Sequence, residues 1–283
     1  MSENGSSLAI FRSAPEKSQC RGSGVQMMTI LTACAVFLLV YLINIFFISV
    51  LYHRGLTHQS VVLSRSMVKW VQWTGIWVTG IDPKAWACMH RMHHMHSDTV
   101  KDPHSPQIYG VFGVALEQLR SYEMTLRNLI SRRSAYTKIV SDIPFQVSFL
   151  NQRKLWYIPY LLHLCIGIAL MLVTHSSLIG GAYVVGIISH PVQGWLVNSL
   201  AHKYGYRNFE TKDHSTNNWL VSLLVFGEGY QNNHHARPKR PNFAIGASEF
   251  DFGYLMCLTA AKLGFLKLRT SLPAPETAVS AGV

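Results

Sequence analysis

Histidine is the residue type whose number and spacing stand out in this chain. The sequence has 14 histidines in 283 residues, and eight of them fall in the short stretches "HRGLTH", "HRMHH", "NSLAH" and "QNNHH". Neutral imidazole binds Zn, Cu, Fe and Ni, and eight imidazoles are too many for one ion. The stretches therefore predict a site for two metal ions, each with about four protein ligands. The eight residues are His53, His58, His90, His93, His94, His202, His234 and His235.

Three of the four stretches have helical spacing. Positions i, i+3 and i+4 of a helix share one face, so side chains at this spacing can point at one centre. The sets with this spacing are His90, His93 and His94; Gln231, His234 and His235; and Asn198 with His202. His53 and His58 are five apart, which separates them on a regular α-helix. We expect these two to straddle a helix end near Gly55, or to reach two different metal ions.

The composition indicates a membrane protein of a few spans. Hydrophobic residues make up 49% of the chain and charged residues 14%, and charges are almost absent from two long stretches. The net charge of +11 comes from basic residues beside apolar segments, as in loops that face anionic lipid. We therefore expect a lipid bilayer as partner and no nucleic acid. The five cysteines lack CxxC spacing and indicate reduced or inert thiols.

Three stretches are apolar enough for transmembrane helices. Residues 26–51 carry no charge, and residues 155–174 and 178–200 form a hairpin joined by "HSS". The Trp-rich stretch 67–81 contains Lys69 and is short for a span, so we expect it to be re-entrant or interfacial, with a short span as the third alternative. The expected fold is all-α and integral to the membrane, with three to four transmembrane helices and a cytosolic helical cap that holds the metal site.

Polar segments complete the organisation of the chain. We expect residues 1–25 to be a disordered N-terminal segment, 26–270 to be one membrane domain, and 271–283 to be a disordered tail. The stretch "RNLISRRSAYTK", residues 127–138, is typical of an amphipathic surface helix. The apolar stretch 252–266 is too short for a span and is expected to lie on the membrane surface.

The histidine stretches resemble the three histidine boxes of the membrane fatty-acid desaturase family, and within it the acyl-CoA or acyl-lipid Δ9-type branch. The resemblance extends to "HRMHHMHSDTVKDPHSP", "NSLAHKYGYRNFETKDHSTNNW" and "GEGYQNNHHARP", and covers about residues 28–245. It implies a cytosol-facing site with two Fe ions that uses dioxygen and two electrons to introduce a cis double bond into a fatty-acyl chain. The electrons would come from a separate b-type cytochrome or ferredoxin, because the sequence contains no fused cytochrome domain.

The resemblance also implies which residues bind the metals. The ligands would be the eight histidines above, with Asn198 reaching a metal through water. Gln231 stands at the ninth ligand position, and front-end desaturases also have glutamine there. Its neutral carbonyl oxygen is a poorer donor to iron than imidazole. We therefore expect one iron to be held more weakly than the other.

The side of the membrane on which the N-terminus lies is a point of conflict. Arg12, Lys17 and Arg21 favour a cytoplasmic N-terminus, and a single span would then place His53 outside. The two halves of one metal site cannot be split across a bilayer. We therefore expect the N-terminus outside, with the metal site on the cytoplasmic side.

The remaining histidines and the tryptophans have simpler interpretations. We expect six residues in family-like text to orient the ligands or to anchor loops, namely His96, His104, His214, Asp98, Asp102 and Asp213. His163 and His190 fall inside apolar segments and are expected to be buried and hydrogen-bonded. Four tryptophans are expected to form an interfacial belt, namely Trp70, Trp73, Trp77 and Trp86.

Two alternatives to a desaturase stay open at the level of the sequence. A related membrane di-iron hydroxylase or monooxygenase has the same ligands but adds oxygen to the chain instead of removing two hydrogens. A catalytically silent membrane protein that binds zinc or another metal is the other alternative, and the glutamine at position 231 favours it.

Overall fold

Helices make up most of the protein. The structure is a computed structural model, and it describes residues 16–269. The helices are α1 (Glu16–Ile45), α2 (Arg65–Thr79), α3 (Pro83–His96), α4 (Pro106–Ile130), α5 (Ser134–Thr137), α6 (Phe149–Gln152), α7 (Ile158–Thr174), α8 (Ser177–Ile187), α9 (His190–Ser199), α10 (Trp219–Leu224), α11 (Gln231–Ala236) and α12 (Phe252–Lys262). A π-helix, Phe46–Thr57, follows α1 directly, and a 3-10 turn, Leu200–His202, follows α9. The expected tail, 271–283, lies outside the described residues, as does most of the N-terminal segment.

A small sheet corrects the expectation of an all-α fold. Strand β1 (Val61–Leu63) pairs antiparallel with strand β2 (Leu266–Leu268), and Val61 lies opposite Leu268. Three consecutive apolar residues, two of them β-branched, favour an extended conformation in β1. The pairing ties the chain just after the first histidine stretch to the end of the domain.

One helix is long and apolar enough to cross a membrane. Within residues 16–269 this candidate span is Gly24–Thr57, a continuous run of 34 residues that contains the expected span 26–51. At 1.5 Å per residue its length is roughly 50 Å, whereas the hydrocarbon core of a bilayer is roughly 30 Å thick. The helix therefore has length to extend beyond the core, and His53 lies near its far end.

Two shorter apolar helices, α7 and α8, lie beside the candidate span. They have 17 and 11 residues, and α8 packs against both α1 and α7. The expected single span over 178–200 is interrupted, because α8 ends at Ile187 and α9 begins at His190. Pro191 explains the break, since it has no N–H to continue the helical hydrogen bonds. The expected number of three to four spans stays a prediction.

Two surface segments differ from their expected form. The predicted helix over 127–138 is broken, because α4 ends at Ile130 and Arg132 adopts a left-handed conformation with φ of 53° before α5 begins. The stretch 252–266 forms α12 and the start of β2. One face of α12 packs against the π-helix, with Cys257 fully buried.

Candidate metal centre

The π-helix brings the first two histidines together. In a π-helix each N–H bonds to the carbonyl five residues earlier, and the backbone N–H of His58 donates to the carbonyl of His53 at 3.1 Å. A spacing of five therefore places both side chains on one face, and their ring centroids are 4.9 Å apart. The π-helix continues through Gly55 to Thr57, so the expected helix end near Gly55 is wrong, and both histidines belong to the same group of imidazoles. The predicted separation of the two side chains assumed regular α-helical geometry, which this segment does not have.

Helix α3 supplies three histidines to the centre. Its first turn is fixed by Asp82, whose carboxylate accepts the backbone N–H groups of Lys84 and Ala85 at 3.0 Å. Of the three histidines that it supplies, His90 and His94 point toward one group of imidazoles and His93 toward another. Helix α3 therefore lies between two candidate metal positions.

Five imidazoles form the first cluster, which we define as His53, His58, His90, His94 and His234. Their candidate ligand atoms all lie within 4.8 Å of one another. Nε2 of His234 is 3.0 Å from Nε2 of His53 and 2.9 Å from Nε2 of His94. Two nitrogens bound at right angles to one ion, each at about 2.0–2.1 Å, are roughly 2.9 Å apart. The first cluster therefore has the spacing of ligands to a common ion.

Three imidazoles form the second cluster, which we define as His93, His202 and His235. Each ring nitrogen Nδ1 of this cluster contacts an aspartate. The pairs are His93 with Asp102 at 2.9 Å, His202 with Asp98 at 3.3 Å, and His235 with Asp213 at 2.7 Å. These are the three aspartates that the sequence predicts as orienters of ligands. They fix the proton on Nδ1 and leave the Nε2 lone pair of each ring free.

The free lone pairs fit a metal ion. The Nε2 atoms of His93, His202 and His235 are buried, and none has a hydrogen-bond partner within residues 16–269. A buried nitrogen without a partner costs free energy. Three such nitrogens that converge within 4.8 Å are the donor set that Fe or Zn prefers, whereas Mg and Ca prefer oxygen.

Burial keeps the imidazoles in the form that binds metals. It lowers the pKa of His90, His94 and His234 well below the ordinary value, and the neighbouring histidines lower it further. Neutral imidazole has a lone pair to donate, whereas imidazolium has none. Beside the second cluster, burial raises the pKa of Asp98, but its interactions with His202, Ser105 and the backbone N–H of His214 together outweigh this effect and lower the pKa to about 2. The aspartate therefore stays ionised.

A buried charge network behind the first cluster was missed by the sequence reasoning. Glu228 accepts from Nδ1 of His53 at 2.6 Å and from Arg54 at 2.5 Å. Arg54 also donates to Asp251 at 2.9 Å and to Ser49. The three charged residues come from the π-helix, the loop before α11 and the start of α12. The sequence does contain a signal for this network, because an arginine buried next to His53 needs an oppositely charged partner.

Two candidate ligands that are not histidines line the same cavity as residues of the first cluster. Gln231 and Asn198 line a cavity of about 120 Å³ together with His53 and His90. Gln231 is 1% exposed, and its amide nitrogen donates to the carbonyl of Glu228 at 2.7 Å. Its carbonyl oxygen is therefore the atom that remains for a ligand.

Three of the remaining histidines have different surroundings. His104 is buried and stacks on His93, with centroids 4.7 Å apart, but neither ring nitrogen has a partner within the described residues. His214 has a side chain that is 66% exposed. His163 is hydrogen-bonded as expected, to Tyr183 at 2.9 Å and to the carbonyl of Trp77 at 2.8 Å.

Two expectations about apolar segments need correction. His190 is buried as expected, but its Nδ1 has no hydrogen-bond partner within residues 16–269. Trp86 does not belong to an exposed belt, because its ring stacks on His90 at 5.0 Å with 6° between the planes, and it lines the cavity. Trp70, Trp73 and Trp77 are exposed, as expected of the belt.

Two adjoining polyhistidine clusters, backed by carboxylates and set at the end of an apolar helix, are the arrangement of a helical protein that could bind metal. The comparisons with known proteins identify the family. The chain belongs to the fatty acid desaturase family, whose model matches residues 30–247. The match includes both clusters, Asn198 and Gln231.

Relatives with known names are desaturases of plants and cyanobacteria. The chain is 32% identical over 196 residues to Acyl-CoA 5-desaturase AL21 of Anemone leveillei, covering 65% of this chain and 55% of the relative. It is 31% identical over 206 residues to Delta-9 acyl-lipid desaturase 1 of Arabidopsis thaliana, covering 72% and 64%. It is 33% identical over 193 residues to sn-1 stearoyl-lipid 9-desaturase of Anabaena variabilis, covering 65% and 64%. The match thus spans between about half and two thirds of these relatives.

Proposed function

We propose that this chain is a membrane-bound, di-iron desaturase that introduces a cis double bond into a fatty-acyl chain, using dioxygen and two electrons. The observation that carries the proposal is the convergence of eight imidazoles from four distant stretches into two adjoining clusters. Membership of the fatty acid desaturase family supports it, as do the names of the acyl-CoA and acyl-lipid desaturases to which the chain is similar.

Each cluster would hold one iron. The first cluster offers five nitrogens and shares its cavity with Gln231 and Asn198, and the second cluster offers three nitrogens. Asn198 would reach a metal through water. Bound iron supplies the oxidising power that the inert C–H bonds of a saturated chain require, since no acid or base of the protein can break them. Glu228 and the three aspartates hold the protons on Nδ1 of their histidines, so that Nε2 faces the metal.

The cavity beside the first cluster would hold the acyl chain. Its wall combines metal-facing residues such as His53 and His90 with apolar residues such as Ile45, Ile48 and Leu119. A chain in this cavity would present one CH2–CH2 pair to the metals and keep its neighbours away. The shape of the cavity would therefore decide where the double bond forms.

The remaining partners follow from the same proposal. The candidate span would anchor the protein in a bilayer with the metal site on the cytoplasmic side, where a separate b-type cytochrome or ferredoxin would deliver electrons. The substrate would be an acyl-CoA or an acyl-lipid, the two kinds named among the relatives.

Expression in a host with a simple lipid profile tests the proposal. We expect new acyl chains that are two hydrogens lighter, together with iron in the purified protein. His94→Ala should abolish both signals, whereas His175→Asn, at an exposed side chain between α7 and α8, should leave both unchanged. Chains that gain one oxygen would indicate a hydroxylase instead. Protein without iron and lipids without added unsaturation would overturn the proposal.

A further inference from the structure

A polar stripe runs along the face of α9 that lines the cavity. His190, Gln193 and Asn198 all contribute to the cavity wall, and the i, i+3 spacing of His190 and Gln193 places these two on one face of the helix. Asn198 is the member proposed to serve the metals. The other two lie one to two turns farther along, within the apolar stretch 178–200, where a polar side chain needs a partner or a function.

Both residues have an atom that lacks a partner. Gln193 is 4% exposed, and its amide nitrogen donates to Oγ of Ser189 at 2.8 Å and to Oδ1 of Asn44 at 3.3 Å. Its carbonyl oxygen Oε1 has no hydrogen bond within residues 16–269, and the same holds for Nδ1 of His190, which is 8% exposed. Two buried polar groups without partners on one cavity wall point to a polar ligand.

The facing wall adds a second amide. Gln118 of α4 also lines the cavity, and its amide nitrogen donates to the carbonyl of Pro191 at 2.8 Å. Its Oε1 lies close above Gly194, at 2.8 Å from the position that a β-carbon there would take. In both glutamines the amide nitrogen donates to the protein, and the carbonyl oxygen Oε1 remains available as an acceptor. A ligand for this wall must therefore donate a hydrogen bond.

We infer that the acyl substrate carries a hydroxyl group on its chain and that Gln193 and His190 recognise it. The hydroxyl would donate to Oε1 of Gln193 and accept from the neutral imidazole of His190, whose β-carbons are roughly 5–6 Å apart at this helical spacing. A keto group only accepts and would leave Gln193 unpaired. An unsubstituted chain would leave both residues unpaired. This inference rests on the proposed function and specifies its substrate class.

Ligand binding tests the inference without the need for turnover. The purified full chain in detergent is loaded with a fluorescent long-chain acyl probe, which is displaced by chains of one length: unsubstituted, each single-hydroxy positional isomer, and the matching keto isomers. We expect at least one hydroxy isomer to bind roughly tenfold more tightly than the unsubstituted chain and its keto counterpart. Gln193→Leu should remove this preference. Val192→Leu, on the exposed side of the same helix, should preserve it.

The outcomes separate this inference from the proposed function. Equal or weaker binding of every hydroxy isomer would overturn the inference, and so would a preference that survives Gln193→Leu. His190→Phe, of similar shape, serves as the second variant should Gln193→Leu not fold. Hydroxy preference without any desaturated product, in an expression host that is supplied with the preferred hydroxy chain, would contradict the proposed function alone. Desaturation of unsubstituted chains without hydroxy preference would sink this inference alone.

Discussion

The carboxylate of Glu228 lies 2.6 Å from Nδ1 of His53, and both side chains are buried at the back of the first cluster. Burial raises the pKa of Glu228, but its interactions with His53, Arg54 and Ser49 together outweigh this effect and lower the pKa to about 2. The ionised carboxylate fixes the proton of His53 on Nδ1 and directs its Nε2 toward His234.

Glu228→Gln should weaken metal binding at the first cluster. An amide holds the Nδ1 proton of His53 less strongly than a carboxylate does, and loss of such an orienting partner typically costs about 10–100-fold in metal affinity. Iron retained after dialysis against a graded chelator measures the change. Glu123→Gln, at an exposed carboxylate, is the control and should retain iron as the original chain does. Equal retention by the two variants would show that Glu228 has no orienting role.

Arg54→Met should destabilise the metal-free protein. Arg54 is fully buried between Glu228 and Asp251, and its removal leaves two buried carboxylates without their cation. Breaking a buried pair in this way costs about 3–5 kcal/mol. Arg127→Met removes one member of an exposed pair with Glu123, which should cost at most about 1 kcal/mol. Denaturant unfolding in detergent gives both values, and similar losses in the two variants would contradict the structural role of Arg54.

Gly227→Ala should be more damaging than Gly264→Ala. Both glycines have positive φ, 92° and 79°, so each substitution meets a backbone cost of about 1–2 kcal/mol. A β-carbon at Gly227 would also meet the carboxylate of Asp251, the partner of Arg54, whereas one at Gly264 meets nothing within 4 Å. The difference in unfolding free energy between the variants therefore isolates the contact. Equal destabilisation would show that the side chain of Asp251 moves aside without a measurable cost in free energy.

The types and spacing of the residues predict the members of the candidate centre more readily than their arrangement. The i, i+3, i+4 spacing predicts that each ligand set points at one centre, whereas the structure divides the histidines of α3 and those of α11 between the two clusters. The pair His53 and His58 could not be placed in the same way, because nothing in "HRGLTH" announces π-helical winding. That winding depends on tertiary packing around the segment.

The supporting network was predictable only in part. Asp102 stands nine residues from its partner His93, whereas Asp98 and Asp213 contact histidines that are 104 and 22 residues away, so only the first pairing is local. Glu228 and Asp251 lie 174 and 197 residues from Arg54, and no local pattern connects positions so far apart. The break at Pro191 and the strand pairing of β1 with β2 likewise depend on contacts between distant segments, which periodicity does not reveal.

Gln231→His should slow the release of iron. Gln231 lies on the wall of the cavity, at the position that the family resemblance makes the ninth ligand, and an imidazole there would replace a carbonyl oxygen by a nitrogen that iron binds more strongly. Gln231→Ala removes the oxygen altogether and should accelerate release. The measurement is the rate at which a coloured chelator removes iron from each purified protein. The order His slower than Gln, and Gln slower than Ala, would assign position 231 to the ligands; equal rates in all three would remove it from the centre.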